Sequence, residues 1–179
     1  GPRTINAMNE IQQRDLTFVM VPPSLLETCL DKIQANKLAK NLNLNVPAFK
    51  EVKSLSEIHD FFDRSSFPVI VKPCRSTKKI FGRKAYIIVS KTQYLTVFRE
   101  WPADHTRLIV QEYIEGHIEG CDFVASNGKL VGYFEAESFR TDLLDGTGFS
   151  VDLRSIPISR DVFDACHTLV ETYNYSGAG

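Results

Sequence analysis

No apolar run in this 179-residue chain approaches the roughly 20 residues that a helix needs to span a bilayer. The N-terminus shows no secretory signal pattern. Charge of neither sign is in excess: 21 lysines and arginines face 22 aspartates and glutamates, a formal −1. That balance excludes the basic surplus of a typical nucleic-acid binder. Four cysteines (Cys29, Cys74, Cys121, Cys166) form no CxxC pair and no Cys/His cluster. No structural zinc site is visible in that spacing, and reduced, mostly packed thiols of a cytoplasmic protein are expected. Internal repeats and low-complexity tracts are also lacking.

What is present is an ordinary globular composition, 43% hydrophobic, long enough for one domain or two small subdomains. The chain opens on GPRT and closes on YNYSGAG, a Gly-rich turn after a predicted helix. That reads as a piece trimmed from something longer.

Thr17–Met20 predicts a short strand. Ser24-Leu-Leu-Glu27 has capping-box spacing, and a second helix follows Asp31 with Ala35, Leu38, Ala39 and Leu42 on one face. Ala48–Val52 predicts a strand, and Ser54-Leu-Ser-Glu57 opens a helix carrying Leu55, Ile58 and Phe62. Val69–Val71 lacks polar alternation and predicts a buried strand, with Ala85–Val89 as its neighbour. Lys91 to Trp101 reads as a helix, Leu108–Tyr113 as a strand. Cys121–Ala125 and Leu130–Phe134 form a hairpin about Asn127-Gly128, the strongest turn signal in the chain. Ser150–Ile156 predicts a strand, and Ser159 caps a helix with Val162, Cys166, Leu169 and Tyr173 on one face. Mixed elements with antiparallel hairpins predict an α+β architecture in two layers.

Two strands carry the chemistry. FPVIVKP (Phe67–Pro73) ends on Lys72, a cation costly to bury unless an anion meets it. A lysine that snorkels to solvent is the ordinary alternative. The segment from Arg75 to Lys84 is basic and hydroxyl-rich, with Ser76 and Thr77 near its start, as in loops that cradle phosphate. Only Gly82 is a glycine there, so a solvated basic hairpin stays open as a reading. LIVQEYIEG (Leu108–Gly116) offers a strand end where Glu112 and Ile114 would present backbone groups to a purine; a plain strand and turn would look the same. Glu135 and Glu137 are candidates for Mg²⁺, although strand carboxylates facing solvent are commonplace.

The order of LDKIQANKLAKNLNLNVPAF (Leu30–Phe49), FPVIVKP, LIVQEYIEG and DFVASNGKLVGYF (Asp122–Phe134) resembles the ATP-grasp superfamily. The likeness is to its carbamoyl-phosphate-synthase-like branch, which includes biotin carboxylases and carboxylate–amine ligases. DGTGFSVDLRSIP resembles the segment before that family's metal-binding strand. The resemblance implies an ATP-grasp fold, two α+β subdomains with a nucleotide cleft between them. Residues 1–23 would end a preceding domain, 24–107 form the first subdomain and 108–179 an incomplete second one.

It also implies ATP and Mg²⁺ as cofactors, with ATP phosphorylating a carboxylate and an amine or other nucleophile displacing phosphate. Lys32, Lys72, Ser76 and Thr77 would meet the phosphates. Glu112, Tyr113 and Ile114 would form the adenine hinge and Glu119 would touch the ribose. Arg140 would act in catalysis, and the metal ligands would lie beyond Gly179. The partners implied are small molecules, with a homodimer considered and neither nucleic acid nor membrane. The longer protein would then be an enzyme and this stretch alone inactive.

Three departures stand out. The loop after Lys72 is glycine-poor, the hinge glycine is followed by Glu one position late, and no Glu-x-Asn pair follows YNYSGAG. A one-residue slip on a strand turns a side chain to the other face. A degenerate regulatory or interaction domain is therefore the second reading. A kinase-like phosphotransferase, suggested by VIVK and QEYIEG, is a third, though no glycine-rich loop, HRD or DFG accompanies them.

Overall fold

Alternation along β2 (Val69–Pro73) buries Val69 and Val71 on one face and turns Ile70 and Lys72 to the other. The computed structural model describes residues 21, 23–64 and 66–179; the strand expected at Thr17–Met20 lies outside them. β2 pairs antiparallel with β3 (Tyr86–Ile88) and with β4 (Leu108–Glu112), and β4 pairs with β1 (Phe49–Val52). The order of this first sheet is β1-β4-β2-β3. Register sets Ile70 opposite Gln111, Val71 opposite Val110 and Lys72 opposite Ile109.

Two helices close one face of it. They are α3 (Leu55–Phe62) and α4 (Lys91–Val97), which follow α1 (Pro23–Leu30) and α2 (Lys32–Asn41) along the chain. Ser54 and Ser90 cap α3 and α4 by accepting from the Glu57 and Gln93 amides. Ile58, Phe62, Tyr94 and Phe98 close over Val52, Val69, Val71, Ile88, Leu108 and Val110. Phe62 stacks on Tyr94 with centroids 4.0 Å apart. Each such buried side chain contributes about 1.5–3 kcal/mol. The reverse face is half covered, where Ile33 of α2 meets Cys74 and Ile109. The other half, with Ile70, Ile87 and Gln111, stays open.

The second sheet has the order β7 (Ser150–Ser155), β6 (Lys129–Thr141), β5 (Ile118–Ser126), β8 (Gly177–Ala178). β5 (Ile118–Ser126) and β6 (Lys129–Thr141) are joined by Asn127 and Gly128 at φ 48° and 74°, the turn the sequence predicts. β7 (Ser150–Ser155) pairs with β6, and α5 (Arg160–Thr172) lies on one face, its Phe163 edge-on to Tyr133 at 5.0 Å. Leu25, Ala125, Val170 and Tyr175 form a small core. α1 thus serves the second sheet although it precedes the first in sequence.

The α+β architecture agrees with expectation; several boundaries differ. Leu108–Glu112, expected to open the second subdomain, is an interior strand of the first sheet, because its apolar run is buried on both faces. The chain crosses between sheets only at residues 113–117. α1 begins at Pro23, where the missing amide costs nothing. α4 stops at Val97 rather than Trp101, with Phe98 leaving helical geometry to enter the core. YNYSGAG is not only a turn: after Asn174 (φ 45°), β8 (Gly177–Ala178) pairs with β5. The cysteines, read as widely spaced, are free, but Cys121 and Cys166 Sγ lie 3.0 Å apart.

Candidate functional site

A cleft of about 530 Å³ opens between the uncovered face of the first sheet and the second sheet. Lys72 reaches it by strand alternation. Its Nζ donates to Gln111 Oε1 at 3.2 Å, and burial pulls its pKa below the usual lysine value. Lys32 arrives from α2. Asp31 caps that helix by accepting from the Ile33 and Gln34 amides, and Arg107 holds Asp31 and, at 3.1 Å, Glu51. The Lys32 amide donates to Cys74 O (2.8 Å) and the Ser76 amide to Leu30 O (2.9 Å). The α1–α2 corner is thereby stitched to the chain leaving β2, which brings Lys32 and Lys72 together. Lys32 Nζ donates to Ser76 Oγ at 3.4 Å. Burial, then the neighbouring Lys72, lower its pKa.

Lys84 is the third cation, at the mouth of β3. Its Nζ stands 2.9 Å from the Phe149 ring centroid, and its pKa is lowered chiefly by burial. Lys32, Lys72 and Lys84 make no ion pair with a carboxylate among the described residues. Asp31 lies near Lys32 and Asp142 near Lys84, but neither forms an ion pair with its lysine, and cations held partly out of water in this way suit an anion.

The glycine-poor loop after β2 is a tight hairpin rather than a loose cradle. Ile80 and Arg83 bridge each other about Phe81 and Gly82, both at positive φ (44° and 82°). Ile80 is fully buried in the first core, and His105 Nε2 bonds Lys79 O at 2.8 Å. Packing fixes this loop where glycine flexibility is missing. Ser76 and Lys78 line the cleft; Thr77, one residue on, is exposed and does not.

The hinge closes the other end. Glu112 exchanges bonds with Ala48, its amide donating to Ala48 O (2.8 Å) and its Oε2 accepting from the Ala48 amide (3.2 Å). Glu112, Tyr113 and Ile114 all line the cleft, with Ile70, Ala85 and Ile87 as apolar floor.

The second sheet supplies the far wall, and here the sequence reading and the structure part. Ile118 lines the cleft and Glu119 does not; Glu119 stands opposite Glu137 on the face turned towards α5. Arg140 is exposed opposite Asp152 between two register shifts and is also outside the cleft lining. Glu135 and Glu137 are buried away from the cleft. Glu135 accepts from Tyr133 Oη and the Ser159 amide; Glu137 accepts from Arg154 at 2.8 and 3.0 Å.

The sequence reading also missed part of the site. The Asp145–Gly148 loop between β6 and β7 lines the cleft. Asp145 pairs with Arg83 and accepts from the Thr147 amide and hydroxyl. Burial opposes its ionisation, yet Thr147 and Arg83 hold its pKa below the usual carboxylate value. A Cβ on Gly148 would lie 1.7 Å from Asp142 Oδ1, so the loop needs glycine there. The run of Asp, Gly, Thr and Gly was the available signal, a small-residue turn placed between two strands. With Lys84–Phe149, the Arg83–Asp145 pair ties the two sheets together across the cleft edge.

No protein-family model matches the chain. The multifunctional protein pyrABCN of Emericella nidulans is 26% identical over 138 residues, 76% of this chain and 6% of that protein. The arginine-specific carbamoyl phosphate synthase large chain, mitochondrial, of Schizosaccharomyces pombe is 22% identical over 170 residues, 93% of this chain and 14% of that one. Among solved structures, D-alanine–D-alanine ligase from Bacillus anthracis complexed with ATP superposes with a TM-score of 0.62 at 14% identity. That match covers 95% of this chain and 56% of the ligase. The chain thus spans a small fraction of the length of the curated relatives it matches.

Proposed function

Taking as premise that the chain has the ATP-grasp fold and is related in sequence to carbamoyl phosphate synthase large chains, we propose that it is the ATP-binding portion of an ATP-dependent ligase. The reaction class is activation of a carboxylate as an acyl phosphate. The γ-phosphoryl group passes to a carboxylate oxygen, ADP leaves, and an amine or other nucleophile then displaces phosphate at the acyl carbon. The observation that carries the reading is the convergence of Lys32, Lys72 and Lys84, half-buried and without carboxylate partners, at one end of a cleft whose other end is a strand-end hinge.

In this reading Lys32, Lys72 and Ser76 meet the polyphosphate, with Lys78 and Lys84 beside them. Preorganised cations of this kind stabilise charge that develops on phosphoryl transfer without reorganising. Glu112 to Ile114 offer backbone groups to the base. Thr77, Glu119 and Arg140 have no support from the cleft geometry. Mg²⁺ would neutralise phosphate charge when bound. Among the described residues no three His, Cys, Asp or Glu side chains gather to hold it. Cytoplasmic residence and small-molecule partners belong to the same proposal; no helix among the described residues is long and apolar enough to cross a membrane.

A calorimetric titration with ATP tests it. Lys72→Met keeps the side-chain volume and removes the cation. It is expected to cost about 2 kcal/mol or more in binding, roughly 30-fold in Kd, while leaving the fold intact. ATP binding unchanged by the substitution would overturn the assignment.

A further inference from the structure

One pair of thiols outside the cleft stands close enough to react. Cys121 Sγ on β5 and Cys166 Sγ on α5 lie 3.0 Å apart, and both side chains are partly exposed. We propose that this pair is a modification site, a dithiol that a peroxide closes to a disulfide stapling α5 to the second sheet. The proposal is independent of the ATP-binding reading. By strand alternation the Cys121 sulfur lies on the sheet face opposite Ile118, which lines the cleft.

Packing on both elements brings the two sulfurs together. Glu119, Cys121 and Phe123 share the face of β5 turned to α5, and Cys121 stands opposite Glu135 of β6. On α5, Phe163, Cys166 and Val170 follow one another at helical spacing along one side. Phe163 meets the Tyr133 ring edge-on at 5.0 Å, and Val170 is fully buried in the small core with Ala125. Anchors on either side of Cys166 therefore hold it over Cys121. An S–S bond is about 2.05 Å long, so closure needs roughly 1 Å of approach, within reach of side-chain rotation. The other two thiols are placed differently: Cys29 on α1 is exposed, and Cys74 is buried against Ile33 and Ile109.

Burial, then the neighbouring Cys121, push the Cys166 thiol up to about 12. Cys166 therefore stays protonated near neutrality, and the first attack falls to Cys121. The Cys121 thiolate takes one oxygen of hydrogen peroxide, the O–O bond breaks, and the leaving hydroxide picks up the proton that Cys121 released. The Cys166 sulfur then attacks the Cys121 sulfenic acid. The S–O bond breaks as the S–S bond forms, and the departing hydroxide leaves as water with the Cys166 proton. The two thiols give up two electrons, and one peroxide becomes two waters. A protonated second thiol makes the closure slow, on the order of minutes to hours.

Treatment of the chain with hydrogen peroxide, followed by alkylation and peptide mass spectrometry, tests the site. The expected product is a linked pair of peptides carrying Cys121 and Cys166, with Cys74 still open to alkylation after unfolding. The thermal unfolding midpoint is expected to rise by about 5 °C or more, and dithiothreitol to reverse both changes. Cys166→Ser keeps the side-chain shape and is expected to abolish the link and the rise together. Cys121→Ser removes the other end of the bond and is expected to read the same. Separate sulfinic acids on Cys121 and Cys166, or a link that runs through Cys29 or between chains, would overturn the proposal. A linked protein whose midpoint has not moved would overturn it too, because the bond would then staple nothing.

Discussion

Both sheets are four-stranded and antiparallel, yet they are stabilised in opposite ways. The first closes one face with an aromatic and aliphatic core in which Val52, Val71, Ile88, Phe98, Leu108 and Val110 are fully shielded. With its flanking segments it also supplies the lysines of the cleft, Lys32, Lys72, Lys78 and Lys84. The second has only a small apolar core, and exposes Val131, Phe139, Val151 and Leu153 along β6 and β7. Its buried positions under α5 include two glutamates, Glu135 and Glu137, each satisfied by hydrogen bonds. The difference teaches that the first sheet holds its shape by burial and can carry unpaired charge on its other face. The second relies on ladder pairing and a polar network.

The largest effect separates the two directly. Phe98→Ala empties a fully buried site beside Phe81, Tyr86 and Tyr94. It is expected to destabilise by about 3–5 kcal/mol in denaturant unfolding. Leu153→Ala on β7, where the leucine is 59% exposed, is expected to change stability by no more than about 0.5 kcal/mol. Equal losses would break the comparison.

A smaller effect tests the polar network. Glu135, 2% exposed, accepts from the Ser159 amide at 2.9 Å and from Tyr133 Oη. Removing it by Glu135→Ala strands both donors under α5, a cost of about 1–3 kcal/mol. Glu137→Ala frees Arg154, which is mostly exposed, and is expected to cost no more than about 1 kcal/mol. If Glu135→Ala is as mild as Glu137→Ala, the second sheet does not depend on that network.

Much of this contrast was legible in the sequence. The uninterrupted apolar runs at Val69–Val71 and Leu108–Val110 announced buried strands, although Ile70 is only half-buried on the cleft face, and Asn127-Gly128 announced a turn by local chemistry. Lys32, on a helix, came only with the family resemblance, whereas Lys72 and the hinge followed from those strands. Glu119 did not, because a strand's facing depends on its register, and that was fixed by Phe123 and Cys121 packing under α5. The role of Asp145–Gly148 was hidden for a related reason. A turn of small residues looks the same whether it faces solvent or another sheet, and only the long-range pairing of Arg83 with Asp145 gives it a place. Element boundaries at Val97 and Leu108 were set by tertiary burial, which local propensity does not encode.

The smallest effect concerns the cations that only the first sheet carries. Burial lowers the pKa of Lys72 below the ordinary 10.5, so the folded state releases this proton before the unfolded state does. Below the lowered value both states are charged and the desolvation cost is fully present. As pH rises from that value to 10.5, the unfolded chain binds more protons than the folded one and stability rises. Lys72→Met has no such cost at any pH. The variant is therefore expected to be the more stable protein near neutrality, and its advantage is expected to shrink across the alkaline window. The wild-type curve alone would not show this. Burial holds the Cys74 thiol at about 11 and the Cys166 thiol and Tyr94 hydroxyl at about 12, and groups that resist ionisation in the folded state make stability fall as pH rises. The difference between the two unfolding curves, measured at matched pH, cancels those groups and leaves Lys72 together with the part of the Lys32 shift that Lys72 causes. A difference that stays constant with pH would mean that Lys72 is solvated in the free protein, and the contrast between a cation-bearing first sheet and an acid-bearing second sheet would lose its energetic basis.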